Sequence, residues 1–224
     1  MKTPLNSIKL VVIVVSLVLF ATSCESDLNE VYSCDPEVND WVNENKEDLS
    51  NINRRELLNH SPDVQRAIVR SFTAEKRFEL WHEKINTLIS QEQEKNVIRH
   101  LEKLRDHLTV QLFESPTKYR NKEFETEWIN YTTEILNWEP ERIVFTVMSL
   151  HNNMNEFLEE ISEQPGLEKS FNDDCTCSTH WSTVDHCTLL PNRVCGHDFP
   201  DCTDTVDGCG WLGLYACNGV CIFG

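Results

Sequence analysis

Residues 74–112 read AEKRFELWHEKINTLISQEQEKNVIRHLEKLRDHLTVQL. Phe78, Trp81, Ile85 and Leu88 step by three or four, as do Val97, Leu101, Leu104, Leu108 and Leu112. That rhythm places each set on one face of a helix. The stretch contains no glycine and no proline, so nothing in it breaks a helix. Thr73 stands before Ala74-Glu75, a capping oxygen with an acid beside the positive end of the helix dipole.

The same rhythm continues outward. Phe124, Trp128, Tyr131, Ile135 and Trp138 form a further stripe, and Val144, Val147, His151, Met154, Leu158 and Ile161 form the next. Ser61-Pro62 and Ser115-Pro116 each put a capping hydroxyl before a proline at the first helical position, and Pro140 opens the last helix. No run of alternating apolar residues lies between them. Four or five amphipathic helices in an all-α bundle are therefore expected over residues 36–165.

Glycine and cysteine mark where this pattern stops. All seven glycines fall at or after Gly166, and eight of the ten cysteines at or after Cys175. Pro165-Gly166 reads as a hinge, and residues 166–224 as a small, turn-rich, disulfide-rich module. Its cysteines are Cys175, Cys177, Cys187, Cys195, Cys202, Cys209, Cys217 and Cys221. So dense a set is that of a scaffold whose apolar residues cannot offset chain entropy alone. The spacing leaves their connectivity open, although bridging Cys175 to Cys177 across one residue would be strained. Zinc is the competing reading, with His186 or His197 near the cysteine pairs, but paired CxxC knuckles are missing. Asp198, Asp201, Asp204 and Asp207 recur every third residue; turn formation explains them more simply than calcium, whose EF-hand ligands alternate.

The start of the chain reads as a targeting segment. Lys2 and Lys9 precede the apolar run Leu10–Phe20, which is shorter than the about 20 residues a spanning helix needs. Ala21-Thr22-Ser23-Cys24 resembles a bacterial lipobox, so residues 1–23 are expected to be a lipoprotein signal peptide. Cys24 would then carry acyl chains that anchor the protein in a lipid bilayer, with 24–35 as anchor and linker. No Asp follows Cys24, and Glu25, Asp27 and Glu30 make the next stretch acidic. An outer-membrane address is therefore expected, with its outer leaflet, the cell surface, as the further reading. Cys34 is then the odd cysteine in an oxidising place.

The chain carries a net charge of −17. Such a charge excludes nucleic acid as a partner, since phosphate neutralisation needs Lys and Arg. No catalytic constellation appears, so neither an enzyme nor a cofactor is expected. His82-Glu83 begins like a zinc-protease helix, but Asn86 stands where a second histidine is needed. His100 and His107 read as solvated or half-buried beside a leucine stripe, and Glu92, Glu94, Glu123, Glu125 and Glu127 as solvated helix faces.

The stretch from Cys202 to Cys221, CTDTVDGCGWLGLYACNGVC, resembles the fulvocin C-related bacteriocin family. That family is named for a small antibacterial peptide held by four disulfides. Cys34-Asp35-Pro36 with Trp41, and Trp81-His82-Glu83-Lys84, are similar to the helical part of its longer exported members. The resemblance implies an antibacterial effector in the module. Between Asp173 and Gly224 there are seven aspartates and a single basic residue, Arg193. That is the wrong sign for a cationic membrane-lytic peptide, so action through a protein or glycan receptor, or with a bridging cation, is expected. Trp211, Leu212, Leu214, Tyr215, Ile222 and Phe223 are the candidate contact surface, with the module's own small core as the other use for them. A non-toxic surface lipoprotein with a partner- or glycan-binding module is the alternative function.

Overall fold

A computed structural model describes residues 30–33, 35–163, 193–196, 205–217 and 220–223. The expected signal peptide, Cys24, Cys34, Cys175, Cys177, Cys187, Cys202 and Asp198, Asp201 and Asp204 lie outside the described residues. Among those described, the protein is mostly helical with a small strand-and-turn region near the C-terminus. No described helix is long and apolar enough to cross a membrane.

The helices are α1 (Pro36–Glu44), α2 (Lys46–Leu49), α3 (Arg54–Leu57), α4 (Pro62–Ser71), α5 (Ala74–Gln91) and α6 (Lys95–His107). They continue as α7 (Val110–Glu114), α8 (Pro116–Tyr119), α9 (Lys122–Glu134), α10 (Pro140–Val147) and α11 (Met154–Glu163). Local chemistry sets most starts. Asp35 accepts hydrogen bonds from the Glu37 and Val38 amides ahead of Pro36. Asn53 and Glu56 form a reciprocal capping box at α3. Thr73 accepts from the Lys76 amide, as its position predicts. Ser61 and Ser115 occupy the expected cap positions, but neither hydroxyl makes the cap hydrogen bond; the prolines after them do the starting.

The described residues form eleven helices rather than the four or five expected, because the apolar stripes run past the helix ends. Leu108 closes α6, and Thr109 restarts the chain as the cap of α7, so Leu112 belongs to a different helix from Leu104. Beyond Glu134, Ile135 is exposed while Trp138 turns back into the core after Asn137, whose φ is +50°. The stripe from Val144 to Ile161 is likewise two helices, and His151 sits in the turn between them.

Two apolar clusters form the interior. One gathers Tyr32, Val42, Leu49, Leu57, Ala67, Ile68, Phe72 and Leu80. The larger is built on Trp81, Ile85, Leu101, Leu104, Trp128, Ile143 and Phe157, together with Trp211, Leu212, Leu214 and Tyr215 from the C-terminal region. Helix α5 contributes to both, and Leu150 packs against both.

Lys84 on α5 is completely buried. Its ammonium nitrogen donates to the Phe145 and Ser149 carbonyls, where α10 ends, and lies 5.3 Å from the Trp81 ring centre and 4.8 Å from that of Phe145. Carbonyls at a helix C-terminus have no partner within the helix, and a lysine reaching them satisfies that need. Arg54, also buried, donates to Asn152 and to the Leu150 carbonyl in the same turn. Two long basic side chains thus hold the break that replaces the expected single helix.

Near the C-terminus, β1 (Arg193–Gly196) pairs antiparallel with β4 (Val220–Phe223), bringing the Cys195 and Cys221 backbones opposite each other. Strand β2 (Thr205–Cys209) pairs with β3 (Tyr215–Cys217), with an irregularity between Thr205 and Gly208.

Burial, and then the nearby Arg54 charge, hold the Lys84 pKa well below its ordinary 10.5. Between the folded value and 10.5 the unfolded chain binds a proton that the folded chain does not, so stability rises with pH through that window. In urea unfolding from about pH 8 to about pH 10, Lys84 should therefore contribute a rise in stability with pH. Lys84→Met should abolish that rise, and an unchanged slope in the variant would show that Lys84 does not titrate.

A candidate functional site: the disulfide-closed loop and its socket

The chain from Gly208 to Cys217 turns tightly. Gly208 has φ +107°, a backbone conformation that side-chain-bearing residues rarely adopt, so glycine is favoured there; the Arg70 guanidinium lies beside it, 2.9 Å from where a Cβ would stand. Gly210, Leu212 and Gly213 also take positive φ, and Leu212, at +54°, is the one of these that carries a side-chain penalty. A 3₁₀ turn at Trp211–Gly213 closes with the Leu214 amide donating to the Trp211 carbonyl. The two ends of the loop are joined by a disulfide between Cys209 and Cys217. Of the eight expected disulfide cysteines, this pair is the one whose bond is described.

Inside the loop, Trp211, Leu212, Leu214 and Tyr215 are buried, with Trp211 at 0% exposure. In the intact chain these four are covered, and the core they join is the helical one rather than a separate core of their own. The side chains of Ile222, Phe223 and Asp207 lie outside the described residues.

Trp211 packs edge-on against Trp128 of α9 at 5.2 Å and against Phe124 at 6.4 Å. The Tyr215 hydroxyl donates to the Glu125 carboxylate, and the Arg120 guanidinium lies 3.8 Å over the Tyr215 ring while donating to the Leu214 carbonyl. On the opposite side, Arg70 of α4 donates to the Tyr32 carbonyl at 2.8 Å and lies 3.6 Å from the Cys217 sulfur. The loop is thus a plug, and Arg70, Arg120 and Glu125 grip its rim.

Glu125 was expected on a solvated face; it is buried. Burial raises its carboxyl pKa, against the lowering effects of the Tyr215 hydrogen bond and the Arg120 and Lys122 charges. Burial first, and then the Glu125 carboxylate, hold the Tyr215 phenol well above its usual value. One signal in the sequence pointed this way. A buried tyrosine hydroxyl needs a partner, and Glu125 lies three and four residues before the buried Trp128 and Ile129, on the core-facing side of α9.

The histidines do not assemble with the plug. His100 is stacked between Trp128 at 4.4 Å and Tyr131 at 4.7 Å, more deeply buried than expected, and burial lowers its pKa to about 4. His107 stacks 3.8 Å from Phe124 and is half-buried as expected. His82, Glu83 and Asn86 line a shallow groove on α5, where His82 and Asn86 meet at 3.1 Å. A second cleft, of about 390 Å³, is lined by Leu88, Trp138, Phe145 and Met154; the Arg142–Glu92 ion pair, at 2.8 Å, is also part of its wall. Glu94, Glu123 and Glu127 are exposed, as their helix positions predict. Among the described residues no group of three or more His, Cys, Asp or Glu is placed to hold a metal ion. What the plug and its grip can do chemically is hold an apolar segment out of water.

Because Trp211 belongs to the helical core, Trp211→Ala should cost about 3–5 kcal/mol in the unfolding of the helices followed by circular dichroism; an unshifted midpoint would mean that the loop folds separately. Glu125 has a raised folded pKa, so its contribution to stability is present below 4.5 and is lost as pH rises through the folded value. Unfolding of Glu125→Gln should lack that loss, so its stability relative to the wild type should improve from about pH 4 to about pH 7. Compared with known proteins, the chain matches no family model, no curated protein and no solved structure.

Proposed function

We propose that this chain is an exported, lipid-anchored, bacteriocin-like protein whose helical domain keeps its cysteine-rich C-terminal module in a latent form. The observation that carries the reading is the seating of Trp211, Leu212, Leu214 and Tyr215 in the helical core. Those are the side chains with which a disulfide-stapled effector would bind a receptor, and in the intact chain they are covered. The module's resemblance to the fulvocin C-related bacteriocin family supplies the antibacterial sense of the reading. In it, Cys24 carries the acyl chains, the bilayer is that of the outer membrane, and the module's eight cysteines pair in four bridges formed after export. The acidic module reaches its target through a protein or glycan receptor rather than by lysis.

The alternative is a non-toxic cell-surface lipoprotein whose module binds a partner or glycan. One observation favours it: loop and helices share a single core, so removing the loop exposes apolar surface on both parts. The two readings part when the chain is cut. Full-length oxidised protein with a protease site inserted at Pro165-Gly166 should leave related strains unharmed before cleavage. Once cut and separated it should inhibit their growth, and reductant should remove the effect. If the separated fragment inhibits no related strain, the bacteriocin reading fails and the anchored binding protein stands.

A further inference from the structure

The cross-link that closes the plug is itself out of reach of solvent. Cys209 is 5% exposed and Cys217 0%. Around Cys217 stand the Arg70 guanidinium and the strand pairing that sets Cys209 opposite Tyr215, whose ring lies beneath Arg120. A thiolate must approach a disulfide sulfur directly to attack it. With the loop seated, Cys217 presents no surface to such an attack and Cys209 very little. The loop in turn depends on the bond. It passes through positive φ at Gly210, Leu212 and Gly213 within the few residues between its ends, and Leu212 holds that shape at a conformational penalty. Joining the ends restricts the alternatives the loop would otherwise explore.

We infer that the Cys209–Cys217 bond is an opening-gated redox lock: a thiol reductant cuts it only when the Trp211–Tyr215 loop has left its socket, and the cut loop does not hold its seat again. In the reaction, a reagent thiolate bonds to one protein sulfur as the sulfur–sulfur bond breaks. The other cysteine leaves as a thiolate and takes up a proton. The second thiol of a dithiol reagent then displaces the first cysteine, so the two protein sulfurs gain two electrons and the reagent leaves as its cyclic disulfide. In the latent-effector reading, on which its biological sense rests, the lock orders events: separation of the loop from the helices comes first, reduction second. A covered module therefore keeps its bond in the presence of thiols, and an exposed one loses it.

The test uses the oxidised full-length chain and dithiothreitol, with quenching by alkylation and mass spectrometry of the peptides carrying Cys209 and Cys217. It counts thiols and involves no cells, so the lock and the antibacterial reading can fail independently. Native protein should release these two thiols at least about 100-fold more slowly than the same chain unfolded in urea. Arg120→Ala, which removes the guanidinium over Tyr215 and the bond to Leu214, should speed the native reaction about tenfold. Urea below the unfolding transition should accelerate the wild-type protein in the same sense, which checks gating even if the variant folds poorly. After reduction, amides 211–215 should lose their protection from hydrogen exchange. Native and unfolded rates within about threefold of each other would overturn the gate, and unchanged protection of 211–215 in the reduced protein would overturn the lock.

Discussion

The seating of one tryptophan ties the C-terminal loop to the middle of the chain. Trp211 is wholly buried against Trp128 and Phe124, and it is brought there by a loop whose ends are joined by a disulfide. Fully burying a large aromatic side chain is among the larger favourable terms a single residue supplies. The short helices of this protein are individually too brief to be stable in water, so they depend on such shared packing. The turn at Gly208, the positive φ of Leu212 and the Tyr215–Glu125 hydrogen bond all belong to the loop that carries that indole.

Charge explains how so acidic a chain holds its shape. With a net charge of −17, an ordinary expectation is that its Lys and Arg residues pair with carboxylates. The long-range connections use backbone carbonyls as well. Arg54 reaches the Leu150 carbonyl, Arg70 that of Tyr32, Arg77 that of Phe113, Arg120 that of Leu214, and Lys84 those of Phe145 and Ser149. Each joins segments far apart in sequence, often at a helix end or a turn where carbonyls lack partners. Carbonyls do not titrate, so these links survive protonation of the surface acids. Exposed ion pairs such as Arg105–Asp106 contribute little by comparison.

Much of the helical part was legible in the sequence because apolar spacing reports which faces are buried. Phe78, Trp81, Ile85 and Leu88 do lie along one helix, and Thr73 caps it. Helix breaks were harder to read, because an apolar stripe continues across a break whenever the next segment also faces the core. Leu108 to Leu112 and Val144 to Met154 are of that kind. Lys84, and for the most part Glu125, were hard to read for a different reason. Composition assigns charged residues to the surface, and only the third dimension supplies the carbonyls and the tyrosine hydroxyl that make their burial tolerable.

The sharp change in composition near residue 166 reads as a boundary between independent parts, yet the described part of the C-terminal region does not stand apart. From Asp173 onward the chain has one basic residue, Arg193, and so has few side chains of its own with which to satisfy its carbonyls or neutralise its acids. Arginines from the helical part meet that need for the loop: Arg70 stands beside Cys217 and Arg120 beside Leu214 and Tyr215. The helical part lacks glycine, and so lacks the residues that make a tight loop able to enter a narrow socket. Each part carries what the other's composition omits. The asymmetry that looks like a seam in the sequence is, in three dimensions, the reason the two parts share a core.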